Sequence, residues 1–305
     1  MATPHGNPHQ LAKAPVVVGV DGSFGSDLAV RWAAELAAQR GRTLLIAHGL
    51  DLAAMRSVVG GYDIAAASFI ETARAQGAET VAHAHRLATA VAPDLHITTE
   101  TTDASAAEML IQHSRTAYLV AIGATGNLGT IAHLGSTLLA VVSHGHGTIV
   151  VVRETDTEQH IRTDGPVVVG IDGGPVSEAA IAAAFAEAAA RGTDLIATHS
   201  WNYWQLGDFA GEPYVLVAGE QIESTEDAIL IERLAGWQEK YPDVTVTRKV
   251  YRTEPTEQLA EWSNSAQLIV VGSRGRGGFT GMLLGSTSHF LVQHAHCPVL
   301  VAHPE

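Results

Sequence analysis

Short, unbroken apolar runs alternate along this chain with longer stretches in which apolar residues recur at helical spacing. The pattern is clearest in the second half. Pro166 to Ile171 reads as a strand bounded by turn residues. Val176 to Ala190 is Ala-rich with helical periodicity, and Gly192 just past it fits a left-handed C-terminal cap. A strand near Asp194 to His199, a long helix from Ala218 to Lys240 and a strand from Val244 to Tyr251 follow. Pro255 to Asn264 predicts a helix, since proline is tolerated in a first turn. Gln267 to Val271 is the next strand, Gly285 to His294 the last helix and Pro298 to Ala302 the last strand. The first half runs in the same order. Strands alternating with helices predict an α/β fold with a parallel sheet, and Val/Ile/Leu runs without polar alternation predict strands covered on both faces. Right-handed crossovers make the sheet doubly wound, with any ligand beyond the carboxyl ends of the strands.

The halves are copies. Val16-Val-Val-Gly-Val-Asp-Gly-Ser23 returns 151 residues later as Val167-Val-Val-Gly-Ile-Asp-Gly-Gly174. Gly135-Ser136-Thr137 returns as Gly285-Ser286-Thr287 after 150 residues. A period this long is tandem duplication of a domain, not a solenoid. We expect a flexible N-terminus over 1–14, a first domain over 15–153, a polar linker over 154–165 and a second domain over 166–305.

Composition narrows the function. The 305 residues carry a net charge of −14, which disfavours nucleic acid and anionic membrane surfaces as partners. The only lysines are Lys13, Lys240 and Lys249, so an anion site must rely on arginine, backbone N–H groups or a metal. Cys297 is the sole cysteine, which fits a reducing compartment. The N-terminus reads as no signal peptide, and no apolar run reaches a membrane-spanning length, so a cytoplasmic location is expected.

The chemistry concentrates in the loops after the fourth strands. Gly272-Ser273-Arg274-Gly275-Arg276-Gly277-Gly278 leads to Gly285-Ser286-Thr287. Glycines allow close backbone approach, and consecutive N–H groups can form an anion nest. Ser286 is placed to cap the last helix, whose N-terminus favours phosphate. Arg274 and Arg276 add positive charge. A Walker A loop is absent, as is the dinucleotide glycine fingerprint after a first strand.

The spacing Gly272-x2-Gly275-x9-Gly285-Ser286, with Asp172 closing the first strand, resembles the ATP-binding signature of the universal stress protein family. Both halves carry the resemblance, and the second is similar to tandem stress proteins of actinobacteria. The resemblance implies two tandem Rossmann-like domains, each a five-stranded parallel sheet of order 3-2-1-4-5 with helices on both faces. ATP or a related adenine nucleotide, with Mg²⁺, would sit at the switch point. Gly170 would lie beneath Asp172, which would meet the adenosine end. Ser200 would offer backbone groups to adenine, residues Gly272 to Gly278 would wrap ribose and phosphates, and Gly285, Ser286 and Thr287 would close on the phosphates. The matching first-half positions are Gly19, Asp21, Gly49, Gly123, Gly126, Gly135, Ser136 and Thr137. The resemblance further implies a regulatory stress-response role without a catalytic residue, with ATP hydrolysis slow at most. It implies fifth strands able to pair edge to edge, a homodimer, and a protein partner that the sequence does not name.

The first half departs from the signature. Eight residues, Asn127 to Leu134, separate Gly126 from Gly135 where the signature has nine, and the loop carries no arginine. Losing charge-assisted bonds to phosphate weakens binding by a factor of ~10 or more, so the first site is expected to be the weaker. Two other functions stay open: a nucleotide-free scaffold, and an ATP-using enzyme of the adenine-nucleotide hydrolase-like class. The enzyme needs a general base, and no triad-like constellation is evident.

His83-x-His85, His144-x-His146 and His294-x-His296 resemble ligand pairs, but residues two apart on a helix diverge, and no zinc spacing accompanies them. No metal site is assigned. His48 and His199 end the second strands and read either as ligand neighbours or as hydrogen-bonded histidines. Trp201, Tyr203, Trp204, Phe209 and Tyr214 form a lid, an interface patch or a local hydrophobic plug.

Overall fold

The computed structural model describes residues 13–59, 63–124, 135–154, 161–174, 177–200, 219–275 and 284–304. The chain divides between Arg153 and Glu154 into two compact units. The first runs β1 (Val16–Gly19), α1 (Phe24–Gln39), β2 (Leu44–Gly49), α2 (Leu52–Val59), α3 (Asp63–Val91), β3 (Ile97–Thr102), α4 (Ala106–Ser114), β4 (Leu119–Gly123), α5 (Ser136–His144) and β5 (Thr148–Val152). The second runs β6 (Val167–Gly170), α6 (Ser177–Arg191), β7 (Leu195–Ser200), α7 (Gly219–Lys240), β8 (Val246–Tyr251), α8 (Pro255–Ser263), β9 (Leu268–Gly272), α9 (Ser286–His294) and β10 (Val299–Ala302).

Strand order in the first unit is β3-β2-β1-β4-β5, and in the second β8-β7-β6-β9-β10. Pairing within each unit is parallel, with Val16 opposite Leu44 and Leu119, and Val167 opposite Leu195 and Leu268. The expected order 3-2-1-4-5 is therefore present in each unit. Central strands are apolar because both faces are covered: Val16, Val17 and Val18 are fully buried, as are Val167, Val168 and Val169. The strands β3 and β8, which follow β2 and β7 outward, are more exposed and carry Thr, Glu, Arg and Lys, which suits edges.

Each unit repeats the same local devices. Gly41 (φ +59) and Gly192 (φ +62) end α1 and α6 in the left-handed region. The next N–H then reaches back, Arg42 to Ala37 and Thr193 to Ala188, closing a Schellman-type cap. Gly19 and Gly170 let a helix cross closely behind strand 1: an added Cβ would stand 2.6 Å from Leu110 in α4 and 2.8 Å from Leu259 in α8. Ser114 and Ser263 each back-bond their own helix and accept the N–H of His146 and His296. β8 starts at Val246 rather than Val244, because the Val244 N–H is held by the Tyr241 carbonyl in the turn closing α7. Among the described residues, no helix is long and apolar enough to cross a membrane.

Candidate functional site

Strand 1 of the second unit ends in a tight turn. Gly173 takes φ +73, which glycine adopts without strain. The Asp172 carboxylate is held from its own backbone: Oδ1 accepts the Gly174 N–H at 2.8 Å and the hydroxyl of Ser177, the first residue of α6. The Ser177 hydroxyl in turn accepts the Asp172 N–H at 3.2 Å. Beside this turn, His199 at the end of β7 donates from Nδ1 to the Ile171 carbonyl at 2.6 Å. His199 is 4% exposed, so it fastens two strand ends. Ser200, half-buried, follows it at the strand's carboxyl end.

The β9 loop meets that turn. The Ser273 N–H extends the ladder to the Ala302 carbonyl at 2.8 Å. The chain then returns at Gly285, whose N–H donates to the Ser273 carbonyl at 2.8 Å. Ser288, one turn into α9, donates its hydroxyl to the Gly272 carbonyl at 2.6 Å. The loop base and the helix start are thus one unit. A Cβ on Gly285 would stand 3.4 Å from the Arg274 Cα and 3.5 Å from the Gly275 N. A Cβ on Gly275 would stand 3.1 Å from Asp172 Oδ2. So Asp172, Gly275 and Gly285 converge although 113 positions separate the first from the last.

The cap of α9 corrects one expectation. Gly285, extended at φ −69 and ψ 152, is the capping residue and has no side chain to cap with. Ser286 is already inside the helix. The first N–H groups of a helix have no partner within it, and such a terminus favours an anion. Arg274 and Gly275 are exposed beside them, as is Ser286, while Thr287 is half-buried. Arg276, Gly277 and Gly278 lie outside the described residues.

The first unit keeps the strand-1 side of this arrangement. Asp21 Oδ1 accepts the Ser23 N–H at 2.9 Å and the Ser23 hydroxyl at 2.5 Å. Ser23 also caps α1 by accepting the Ser26 N–H at 3.2 Å. His48 donates to the Val20 carbonyl at 2.7 Å, as His199 does to Ile171. Gly49 abuts the backbone of Ser105 and Ala106, and Gly123 lies against the Gly25 carbonyl at the start of α1. Gly135 caps α5 at φ −56 with no side-chain cap, so Ser136 and Thr137 are first-turn residues like their counterparts. Gly126 lies outside the described residues.

Sequence reasoning missed Ser177 and Ser288. Ser177 repeats Ser26 at the same 151-residue shift that links Asp21 to Asp172, and Ser288 completes the run Gly285-Ser-Thr-Ser. Those were the available signals. The histidine pairs find separate partners: His83 Nε2 meets Asp27 Oδ2 at 3.0 Å, His144 bonds the Ala140 carbonyl, and the His294 ring lies tilted against Phe290. Among the described residues no cluster of three His, Cys, Asp or Glu could hold a metal. Cys297 is buried. The aromatic run from Trp201 to Tyr214 lies outside the described residues.

The sequence profile of the universal stress protein family matches residues 14–153 and again 165–303. A universal stress protein of Mycolicibacterium smegmatis is 40% identical over 294 residues, covering 95% of this chain and 97% of that one. One from Mycobacterium tuberculosis is 39% identical over 292 residues, covering 94% and 96%. This chain belongs to the universal stress protein family. The crystal structure of a universal stress protein from Archaeoglobus fulgidus superposes with a TM-score of 0.67 at 17% identity, covering 94% of this chain and 98% of that one, and so shares the fold. Two universal stress protein domains in tandem account for the duplicated strand order and for both sets of strand-end glycines.

Proposed function

We propose that this universal stress protein is a regulatory protein that binds adenine nucleotide, ATP with Mg²⁺ foremost, beyond the carboxyl ends of its strands. The second unit is the stronger site. The observation that carries the reading is the convergence of the Asp172 carboxylate, the side-chain-free surface of Gly275 and the uncapped first turn of α9 behind Gly285. Asp172 and the strand end at Ser200 suit the adenosine end of the ligand. The α9 N-terminus and Arg274 suit its phosphates. Mg²⁺ arrives on the phosphate oxygens with its own waters. Asp172 Oδ1 is engaged by Gly174 and Ser177 rather than free to act as a general base, so binding without rapid hydrolysis is the expected activity. Occupancy stabilises the folded unit by about 2.7 kcal/mol at a hundredfold excess over Kd. A protein partner or a homodimer in the cytoplasm reads that change.

The test is to purify the chain, denature it, and identify any released nucleotide by chromatography and mass, with its molar ratio. Close to one adenine nucleotide per chain is the expected result. Close to two places a working site in the first unit as well. None, together with no calorimetric binding of added Mg-ATP, overturns the proposal. The scaffold reading is favoured for the first unit alone, whose loop is one residue shorter and carries no arginine.

A further inference from the structure

A charged side chain outside the glycine loop reaches the strand-1 turn of the second unit. Arg233, on α7, donates from Nη2 to the Gly173 carbonyl at 3.0 Å. That carbonyl belongs to the same peptide unit as the Gly174 N–H, which donates to Asp172 Oδ1 at 2.8 Å. A planar peptide responds as one dipole. A cation on its oxygen polarises it and strengthens donation from its nitrogen, as in any chain of linked hydrogen bonds. Guanidinium, peptide and carboxylate therefore form a relay from α7 to the site. Gly173 is buried, so its carbonyl has little access to water as an alternative partner.

We propose that Arg233 is a positioning residue for the nucleotide site of the second unit, holding the Asp172 carboxylate in register through the Gly173–Gly174 peptide. The role rests on the nucleotide-binding reading above. The first unit supplies an internal control. There the turn glycine Gly22 (φ +78) faces Thr80 of α3, whose Oγ1 would lie 3.4 Å from a Cβ on that glycine. A neutral hydroxyl lies beside that glycine, and the Asp21 carboxylate accepts the Ser23 hydroxyl at 2.5 Å. In the second unit Gly174 stands where Ser23 stands, and the hydroxyl on the carboxylate comes from Ser177 instead. Arg233 adds a cation on the turn peptide itself.

The relay also makes α7 sensitive to the ligand. Whatever fixes Asp172 from the pocket side tightens the same peptide that Arg233 holds, and by linkage the coupling is reciprocal.

The experiment uses the full chain and measures Mg-ATP binding by calorimetry, with each site assigned by labelling with an azido-adenine nucleotide and peptide mass mapping. Arg233→Met keeps the apolar stem and removes the donor. It is expected to weaken the second-unit site about tenfold and leave labelling of the first unit unchanged. Arg233→Lys, which returns a cationic donor, is expected to recover most of the loss. On an Asp172→Asn background Arg233→Met is expected to cost little more, since the relay has lost its carboxylate. Without nucleotide, the Gly174 amide is expected to exchange faster in Arg233→Met than in the wild type. Wild-type affinity in Arg233→Met, no rescue by Arg233→Lys, or an equal loss on the Asp172→Asn background would each overturn the positioning role. A wild-type chain that binds no Mg-ATP would overturn the nucleotide reading itself, while Gly174 exchange would still report whether the Arg233 link exists.

Discussion

The loop after β9 and the loop after β4 began as copies, and the sequence at the helix start that follows each now differs. In the second unit the helix start is docked: Gly285 bonds the Ser273 carbonyl, Ser288 bonds the Gly272 carbonyl, and Gly275 approaches Asp172. In the first unit Leu138 stands in place of Ser288, and the stretch Gly123 to Gly135 carries no arginine where the second unit has Arg274 and Arg276. On the strand side the packing contacts are the same, although the turn carboxylate is held by Ser23 in the first unit and by Gly174 and Ser177 in the second. Gly19 and Gly170 are covered by equivalent leucines, and the His48 and His199 rings tie equivalent strand ends. Contacts that the fold requires have been kept twice. The Ser288 bond that seats the helix start is made in one copy, and Leu138 cannot make it in the other. The comparison separates glycines retained for packing from glycines retained for a ligand, and substitution can test that division.

The largest effect is expected at Gly123. A methyl there would overlap the Gly25 carbonyl and stand 2.8 Å from the Ser26 nitrogen. Both neighbours are backbone at the start of α1, where no side chain can swing aside. Gly123→Ala should destabilise the first unit by about 3 kcal/mol or more, the upper range for overpacking. Amide exchange in β1 and β4 measures it, with β6 and β9 as controls in the same molecule. A loss below about 1 kcal/mol would mean that this glycine serves something other than packing, and the division would fail at its clearest point.

Ser288 comes next. Its residue is 3% exposed, and its hydroxyl bonds a carbonyl at the end of a buried strand. Ser288→Ala removes one hydrogen bond and leaves the Gly272 oxygen without it, a cost of about 1–2 kcal/mol confined to the second unit. Because the same bond seats the start of α9, nucleotide affinity in that unit should fall with it. Unchanged stability measured by exchange in β9 and α9 would show that the loop and helix are not one unit.

The elements were legible because their causes are local. Unbroken Val/Ile/Leu runs marked the strands, and Gly192 marked a helix end through its own positive φ. The glycine signature and Asp172 pointed to the right edge of the sheet because both halves repeat them in the same order. What stayed hidden depends on backbone geometry or on distant pairs. Ser286 looked like a cap, but the extended ψ of 152 at Gly285 moves the cap back by one residue. Arg233 meets Gly173 across 60 positions, a pairing that no local pattern announces. The pressure on Gly123 comes from Gly25, on a different element. Hydroxyls such as Ser177 and Ser288 reach their partners only once helix and strand are fixed in space.

Gly275 sharpens the comparison with the smallest effect on folding. Its φ lies outside the left-handed range, so the backbone does not demand glycine there. The residue is exposed, and an added Cβ would meet one described atom, Asp172 Oδ2 at 3.1 Å. That is a tight contact with the end of a side chain, and a few tenths of an ångström relieve it. Replacing glycine also narrows the unfolded ensemble, which offsets part of the strain. Gly275→Ala should therefore change the stability of the second unit by less than about 1 kcal/mol. The methyl would nevertheless occupy the gap between the strand-1 carboxylate and the loop, where the proposed nucleotide would place its sugar and phosphates. Mg-ATP affinity in the second unit should fall about tenfold or more while folding is nearly untouched. Gly123→Ala should show the reverse balance, with a large loss of folding stability in its own unit. If Gly275→Ala binds Mg-ATP as tightly as the wild type, the pocket does not lie between Asp172 and the loop. If instead it unfolds the second unit, Gly275 belongs with the packing glycines, and the two loops differ less than the present geometry implies.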